Sequence, residues 1–265
     1  MIKHYICLES NKNIYKNVYE LNENFEETQE LLNNGTPLEK IFSYIGRYID
    51  GFAPVKLDGK WNFIDKNCKL VSDMWFDDIC YSPTGVSPAG FSPGFVSVKL
   101  NGKWNFIDKN GKFLSDRWFD HASEFFKGFA RVQLNDKWNF IDKKGKFLSN
   151  TWFDDTWFFG EGFAPVKLNG KWNFIDINNR LLSDIWFDKV DIFSGGFARV
   201  RLNDKKNYID KTGKLLSNIW LDHTGRFYKY NSFARVKLDG KNMRIYKNGK
   251  LSFDPGNDYN PRTDW

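Results

Sequence analysis

The feature that most constrains this chain is a phrase that returns at a fixed interval. The segment Gly94-Phe-Val-Ser-Val-Lys-Leu-Asn-Gly-Lys-Trp-Asn-Phe-Ile-Asp-Lys-Asn-Gly-Lys-Phe-Leu-Ser-Asp-Arg-Trp-Phe-Asp120 has landmarks that recur from Gly128, Gly162 and Gly196, each start 34 residues after the last. An earlier copy starts at Gly51, set apart by the insert Tyr81–Ser92, and a degenerate last copy runs from Ser232 to Phe253. Six units of this length are read as tandem supersecondary elements. Each is too small to bury its apolar side chains alone, so neighbours must stack.

Within a unit, Gly-Phe-Ala-x-Val-Lys-Leu is a short β-branched and aromatic run. Asn101-Gly102, Asn169-Gly170, Asp58-Gly59 and Asp239-Gly240 then give the strongest local signal for a two-residue type I′ hairpin. The next run alternates, with Trp104 and Phe106 on one face and Asn105 and Ile107 on the other. A second turn at Asp108–Gly111 and a third strand over Lys112–Ser115 complete a three-stranded meander before Trp-Phe-Asp. Asp65, Asp108, Asp142, Asp176 and Asp210 hold one turn position five times, which marks them as turn formers rather than acid-base residues. Gly111, Gly145, Gly213 and Gly249 share a slot that Cys68 and Asn179 fill elsewhere. A left-handed backbone explains that preference, and on this basis Gly145→Ala costs about 1 kcal/mol.

The phrases Gly-Phe-Ala-x-Val-Lys-Leu and Gly-Lys-Trp-x-Phe-Ile-Asp-Lys-x-Gly-Lys resemble the WG (KWG-type) repeat family over residues 51 to about 253. The family's glycine after tryptophan is Asn62, Asn105, Asn139 and Asn173 here, and the tryptophan becomes Lys206 and Asn242 in the last two copies. The resemblance implies a β-repeat protein without assigned chemistry and supplies no catalytic residues. A weaker similarity to aromatic hairpin repeats implies surface glycan or cell-wall binding as a further alternative.

Residues 1–50 read differently, as a helical cap segment. Leu21, Phe25, Leu31 and Leu32 lie on one side and Glu20, Glu23, Glu27 and Glu30 around the other, with Gly35 as the stop. Thr36-Pro37-Leu38-Glu39 then offers an N-cap, a first-turn proline and a capping-box glutamate for a second helix. The expected architecture is therefore a helical cap (1–50), a β-repeat array (51–253; units near 51, 94, 128, 162, 196 and 232) and a tail (254–265). An open twisted array is favoured over a closed, propeller-like ring, because degenerate ends behave as caps and three strands are few for a propeller blade. A partner-binding arm is the alternative reading of the first segment.

Aromatic residues make up 18 % of the chain, which is incompatible with a disordered polymer in water. No apolar run approaches the ~18 residues that span a bilayer, and the N-terminal stretch is too quickly polar for a secretory signal. A cytoplasmic chain, from a bacterium or a virus-infected cell, with no membrane partner is expected. Cys7, Cys68 and Cys80 form neither a disulfide framework nor a zinc knuckle, and His4, His121 and His223 do not converge, so neither metal nor cofactor is expected. No strong catalytic signature is present, and repeated residues make poor active-site candidates, so the chain is read as non-enzymatic.

The charge is uneven: residues 1–50 carry five Lys/Arg against eight Asp/Glu, leaving 34 against 25 in the remainder. Lys56, Lys99, Lys167, Arg201 and Lys237 recur at one strand position, broken by Gln133, and Arg131, Arg199 and Arg235 recur two residues earlier. Residues i and i+2 share a strand face, so these eight cations are the candidate ligand-binding residues. They could line a stripe for nucleic acid or another polyanion, or form a solvated face paired with aspartates. The leading expectation is a scaffold for another protein, with polyanion binding as the alternative. The insert at 81–92 is the best single loop for a specific contact.

Overall fold

The computed structural model describes residues 16–80 and 94–255. The insert at 81–92 and most of the tail lie outside the described residues. Among these, the chain forms two helices and six separate antiparallel sheets, none of which closes on itself.

The first sheet comprises β1 (Tyr44–Ile45), β2 (Phe52–Leu57) and β3 (Lys60–Asp65). The second holds β4 (Asp78–Ile79), β5 (Phe95–Leu100) and β6 (Lys103–Asp108), and the third β7 (His121–Ala122), β8 (Phe129–Leu134) and β9 (Lys137–Asp142). The fourth holds β10 (Asp155–Thr156), β11 (Phe163–Leu168) and β12 (Lys171–Asp176), and the fifth β13 (Lys189–Val190), β14 (Phe197–Leu202) and β15 (Lys205–Asp210). The sixth has four strands, β16 (His223–Thr224), β17 (Phe233–Leu238), β18 (Lys241–Tyr246) and β19 (Leu251–Phe253). Two compact units result: the residues up to Asp136 with Phe140–Phe147, and Lys137–Asn139 with the residues from Leu148 on.

The hairpins form where the sequence places them. Asn101 and Gly102 have φ of 50° and 78°, and Asn169 and Gly170 50° and 79°, the double left-handed pair that a type I′ turn needs. The carboxylates of Asp65 and Asp108 each accept the amides two and four residues on, at 2.8–2.9 Å, which confirms the turn-forming role.

The third strand differs from expectation. In the second to fifth sheets the edge strand comes from the residues just after the preceding Trp-Phe-Asp, so that Asp78 and Ile79 pair with Lys99 and Val98. The segment at Lys112–Ser115 makes only the bridge Ile107↔Phe113, and the chain returns to the strand at Trp104↔Phe119. The cause of the interruption is the asparagine after tryptophan. Asn62 is fully buried, its Oδ1 accepts the Phe63 amide at 2.7 Å, and its Nδ2 donates to the carbonyls of Ser72 (2.9 Å) and Met74 (3.2 Å). The side chain takes the place of a backbone rung and holds the outer chain off as an arch. Asn105, Asn139, Asn173 and Asn207 also bind the carbonyl ten residues on. In the sixth sheet the slot holds Met243, and there the outer chain zips up as β19, with Phe253 directly opposite Met243.

Within each compact unit, consecutive sheets share cores. Phe63 and Phe76 pack with Val96, Val98 and Ile107, joining the first sheet to the second. Trp172, Phe174 and Phe187 pack with Val190, Ala198 and Val200, joining the fourth to the fifth. A lysine–aspartate staple recurs along the chain. Lys60 pairs with Asp77, Lys103 with Asp120, Lys137 with Asp154, Lys171 with Asp188 and Lys205 with Asp222. The second oxygen of Asp120 and of Asp188 accepts the amide of the next sheet's hairpin turn, from Asn135 and Asn203, both at 2.7 Å.

These contacts hold the carboxyls of Asp120, Asp154, Asp188 and Asp222 below the ordinary aspartate range, chiefly through the lysine hydrogen bond. A lowered folded value contributes stability that is complete above the unfolded pKa of about 3.9 and is lost as pH falls through the folded value. Denaturant midpoints should therefore fall on acidification below about pH 4. The gap between the native chain and Asp154→Asn should close over that window, and a gap independent of pH would refute the staple.

The N-terminal segment covers the first sheet. α1 (Lys16–Asn33) ends with Gly35 at φ 73°, the Gly35 amide on the Leu32 carbonyl and the Thr36 amide on that of Leu31. This Schellman closure occupies Thr36. α2 (Leu38–Ile41) consequently starts after Pro37 with no side-chain cap, and the expected capping box does not form. Leu32, Ile41 and Phe42 pack on Ala53, Val55, Ile64, Leu70 and Trp75, while Leu31, placed on the apolar side from sequence, is 40 % exposed. Gln29 Oε1 also accepts the Leu70 amide at 3.0 Å. The segment carries β1 as well, so it contributes a strand to the first sheet besides covering it.

Candidate binding surfaces

The eight cations singled out from sequence occupy several environments. Lys56, Lys99 and Lys167 lie directly across the hairpin from Trp61, Trp104 and Trp172, with each ammonium over the indole at 4.9, 5.6 and 5.7 Å. Arg201 faces Lys206, and Lys237 faces Asn242, at the two positions that lost the tryptophan.

Arg199 and Arg235, of the second series, form ion pairs. Arg199 is buried, donates twice to Asp191 Oδ2 (2.6 and 3.1 Å) and reaches the Thr224 carbonyl at 3.0 Å. Arg226, from the following loop, grips the same carboxylate with two further bonds of 2.8 and 2.9 Å. Arg235 pairs with the buried Asp254 at 3.0 Å, and Arg244 binds the other Asp254 oxygen. Arg131 is half-buried in β8, and burial, aided by the Arg131 charge, lowers the pKa of His121.

Sequence reasoning missed Asp191, Arg226, Asp254 and Arg244. Comparing units at the Asp191 slot would have found the first, since Cys80, Ser123, Trp157 and Gly225 occupy it elsewhere. Burial and the neighbouring Glu124 push the Cys80 thiol up to about 12, which makes it a poor nucleophile. No group of three His, Cys, Asp or Glu residues suited to a metal occurs among the described residues.

A second surface has no counterpart among the candidates from sequence. The loops joining each short edge strand to its hairpin bury one aromatic, Phe159, Phe193 or Phe227, and leave its neighbours outside. The buried ring anchors the loop: Phe193 meets Phe163 and Phe174 at 5.2 and 5.1 Å, and Phe227 meets Phe197 and Tyr208, both at 4.9 Å. Successive loops touch. A Cβ on Gly160 would lie 3.5 Å from that of Ile192, and one on Gly195 would lie 2.8 Å from the Tyr228 carbonyl. Glu161 fastens the same seam, its carboxylate accepting the Gly195 and Gly196 amides and pairing with Lys211. The result is a row of exposed apolar side chains on successive loops, with Phe158, Ile192, Tyr228 and Tyr230 from 39 to 89 % exposed. Lys229 lies over Tyr230 at 5.4 Å. In the other compact unit, Phe126 is similarly exposed beneath Lys127.

The family profile described as "WG containing repeat" matches residues 38–61, 106–138, 140–172, 174–205 and 208–241, more than half of the chain. No curated protein matches. Among solved structures the chain is similar to Kluyveromyces lactis Hsv2p (10 % identity over 77 % of this chain and 74 % of that one, TM-score 0.36). It is also similar to the Neurospora crassa Pan2 WD40 domain (12 %, covering 78 % and 75 %, TM-score 0.30) and to a protein of unknown function from Bacteroides caccae (14 %, covering 74 % and 89 %, TM-score 0.27). Likenesses this slight say nothing of function.

Proposed function

The chain belongs to the WG containing repeat family, and from that premise we propose that it is a non-enzymatic scaffold whose loop row docks a segment of another protein. One observation carries the reading: Phe158, Ile192, Tyr228 and Tyr230 stand out of loops whose backbones are fixed by buried aromatics and by the Glu161 seam. Exposed aromatic and aliphatic residues on a rigid frame are the usual anchors of an interface, because little conformational entropy is lost on docking. The residues from Gly51 on carry nine more positive than negative residues, so the partner segment is expected to place acidic residues beside its apolar anchors. The cation register argues less well for a continuous polyanion stripe. Three of its lysines lie on tryptophans, and Arg199 and Arg235 are committed to Asp191 and Asp254.

Selection from a random displayed-peptide library tests this. Recovered peptides should combine Asp or Glu with Leu, Phe or Trp, and Ile192→Ser combined with Tyr230→Ser should weaken them at least tenfold at an unchanged thermal midpoint. No recovered binder, or binders indifferent to the double variant, would refute the loop row as the docking face.

A further inference from the structure

In the second compact unit the fifth sheet turns one face to the sixth, and among the described residues no sheet follows the sixth. Ala234, Val236 and Ile245 of the sixth sheet pack on Tyr208 and Leu221 of the fifth. The opposite face of the sixth sheet carries three rows of directly opposed residues, Phe233–Tyr246, Arg235–Arg244 and Lys237–Asn242. In the fifth sheet the matching rows are Phe197–Asp210, Arg199–Tyr208 and Arg201–Lys206. This face is covered in the fifth sheet and open in the sixth: Arg235 is 48 % exposed where Arg199 is 6 %, and Arg244 is 28 % exposed where Tyr208 is wholly buried.

The residues on the open face are more than local structure requires. Tyr246 stands where Asp65, Asp108, Asp142, Asp176 and Asp210 shape the turn, and Asn248 Oδ1 accepts the Lys250 amide at 3.0 Å in their stead. The turn has its acceptor without residue 246, and the tyrosine ring lies on the sheet face 5.9 Å from Phe233. The Arg244 guanidinium lies over the Phe233 ring at 4.7 Å. Arg235 and Arg244 share the Asp254 carboxylate, and Lys237 faces Asn242 where other units have an indole. Three cations thus stand against one carboxylate, beside two aromatic rings.

We propose that this face binds a single-stranded nucleic acid. Unstacked bases lie on Tyr246 and on the Arg244 guanidinium, itself stacked on Phe233, and phosphates lie against Lys237 and the donors that Asp254 leaves to the two arginines. Each guanidinium carries five N–H donors and one carboxylate accepts only about four hydrogen bonds, so donors remain for phosphate oxygens. Flat bases use the rings and the guanidinium face-on and phosphates use the charge, so one ligand class engages all three rows. The site uses none of the loop-row residues and does not rest on the scaffold reading.

Fluorescence anisotropy on the full chain with a labelled oligouridylate of about ten nucleotides tests this. The oligouridylate should bind at low salt, and should bind more weakly once paired with oligoadenylate, which hides the base faces. Stacking and phosphate contacts do not require the 2′-hydroxyl, so oligothymidylate should bind alike. Two variants take the residue that another unit of this chain has at the same position, Tyr246→Asp and Lys237→Gln, and both should keep the fold. Tyr246→Asp should weaken binding at least fivefold, and Lys237→Gln should lower the slope of log affinity against log salt by about 0.7. Lys143→Gln, which removes the same charge from an exposed turn of the other compact unit, should change neither. Absence of binding at low salt, equal affinity for the duplex, or displacement by polyglutamate as readily as by oligouridylate would each overturn the proposal. So would folded variants that bind as the native chain does.

Discussion

Replacing Asn173 by alanine should destabilise the chain by about 3 kcal/mol or more, one of the largest effects expected of any single substitution in it. The residue is fully buried. It accepts the Phe174 amide at 2.7 Å and donates to the carbonyls of Ser183 at 2.7 Å and Ile185 at 3.3 Å. Alanine leaves all three backbone groups without that partner. Phe174 is itself wholly buried, so its amide has no route to water, and an unsatisfied buried donor costs about 1–3 kcal/mol. The carbonyls of Ser183 and Ile185 lie nearer the surface and recover part of their loss, which sets the total near the lower end of the sum. Asn173→Asp offers a sharper comparison. It keeps an acceptor for Phe174, loses both donated bonds and buries a charge, so it should fall at least as far. Urea unfolding followed by tryptophan fluorescence reads both variants. A loss below about 1 kcal/mol for the alanine variant would mean that the arch stands without the amide.

What the sequence disclosed, and what it withheld, follows the range of the interactions. The hairpins, the type I′ turns and the aspartate turns rest on residues close in sequence, and their signals recur in most copies. The edge strands do not. Asp78–Ile79 and its equivalents are two residues long, pair with a hairpin that follows them, and carry no periodicity from which a strand could be read. The asparagine after tryptophan was visible as a departure from the family phrase, but its role depends on an arch that begins ten residues downstream. The lysine–aspartate staples did leave a trace, a constant spacing of 17 between Lys60 and Asp77, Lys103 and Asp120, and their successors.

The candidate surfaces were legible only in part. The recurring lysines were found as cations, yet their engagement by the tryptophan opposite follows from strand register, which fixes Lys56 against Trp61. The loop row escaped because its residues differ from copy to copy: Phe126 aligns with Gly160, Ser194 and Tyr228, so a search for repetition passes over it. Repetition marks what holds this array together, and residues that differ from copy to copy fall outside what a search for it can find.

The turn glycines make the same point in energetic terms. From sequence, alanine in this slot costs about 1 kcal/mol, the strain of a left-handed backbone. Gly213 does sit at φ 85°, but a Cβ added there would also meet the Leu182 carbonyl oxygen at 2.2 Å, and one on Gly145 would meet that of Leu114 at 2.6 Å. Both oxygens belong to the preceding repeat, so the slot is where consecutive repeats approach backbone to backbone. Relieving such an overlap needs a shift of fixed main chain, at about 1–3 kcal/mol beyond the strain. Gly213→Ala should therefore cost about 3 kcal/mol in all. Gly240→Ala is the control, since Gly240 has φ 73° with nothing within 4 Å of an added Cβ and should lose only about 1 kcal/mol. Cys68 completes the series. It occupies the slot at φ 59° in the first repeat, where no sheet precedes it and the helical segment packs instead. Cys68→Gly should relieve the strain, and after the entropy that glycine adds to the unfolded chain the net gain should be about 0.5 kcal/mol. Denaturant titrations on the three variants decide the matter. Equal losses for Gly213→Ala and Gly240→Ala would show that the repeats do not meet at this turn.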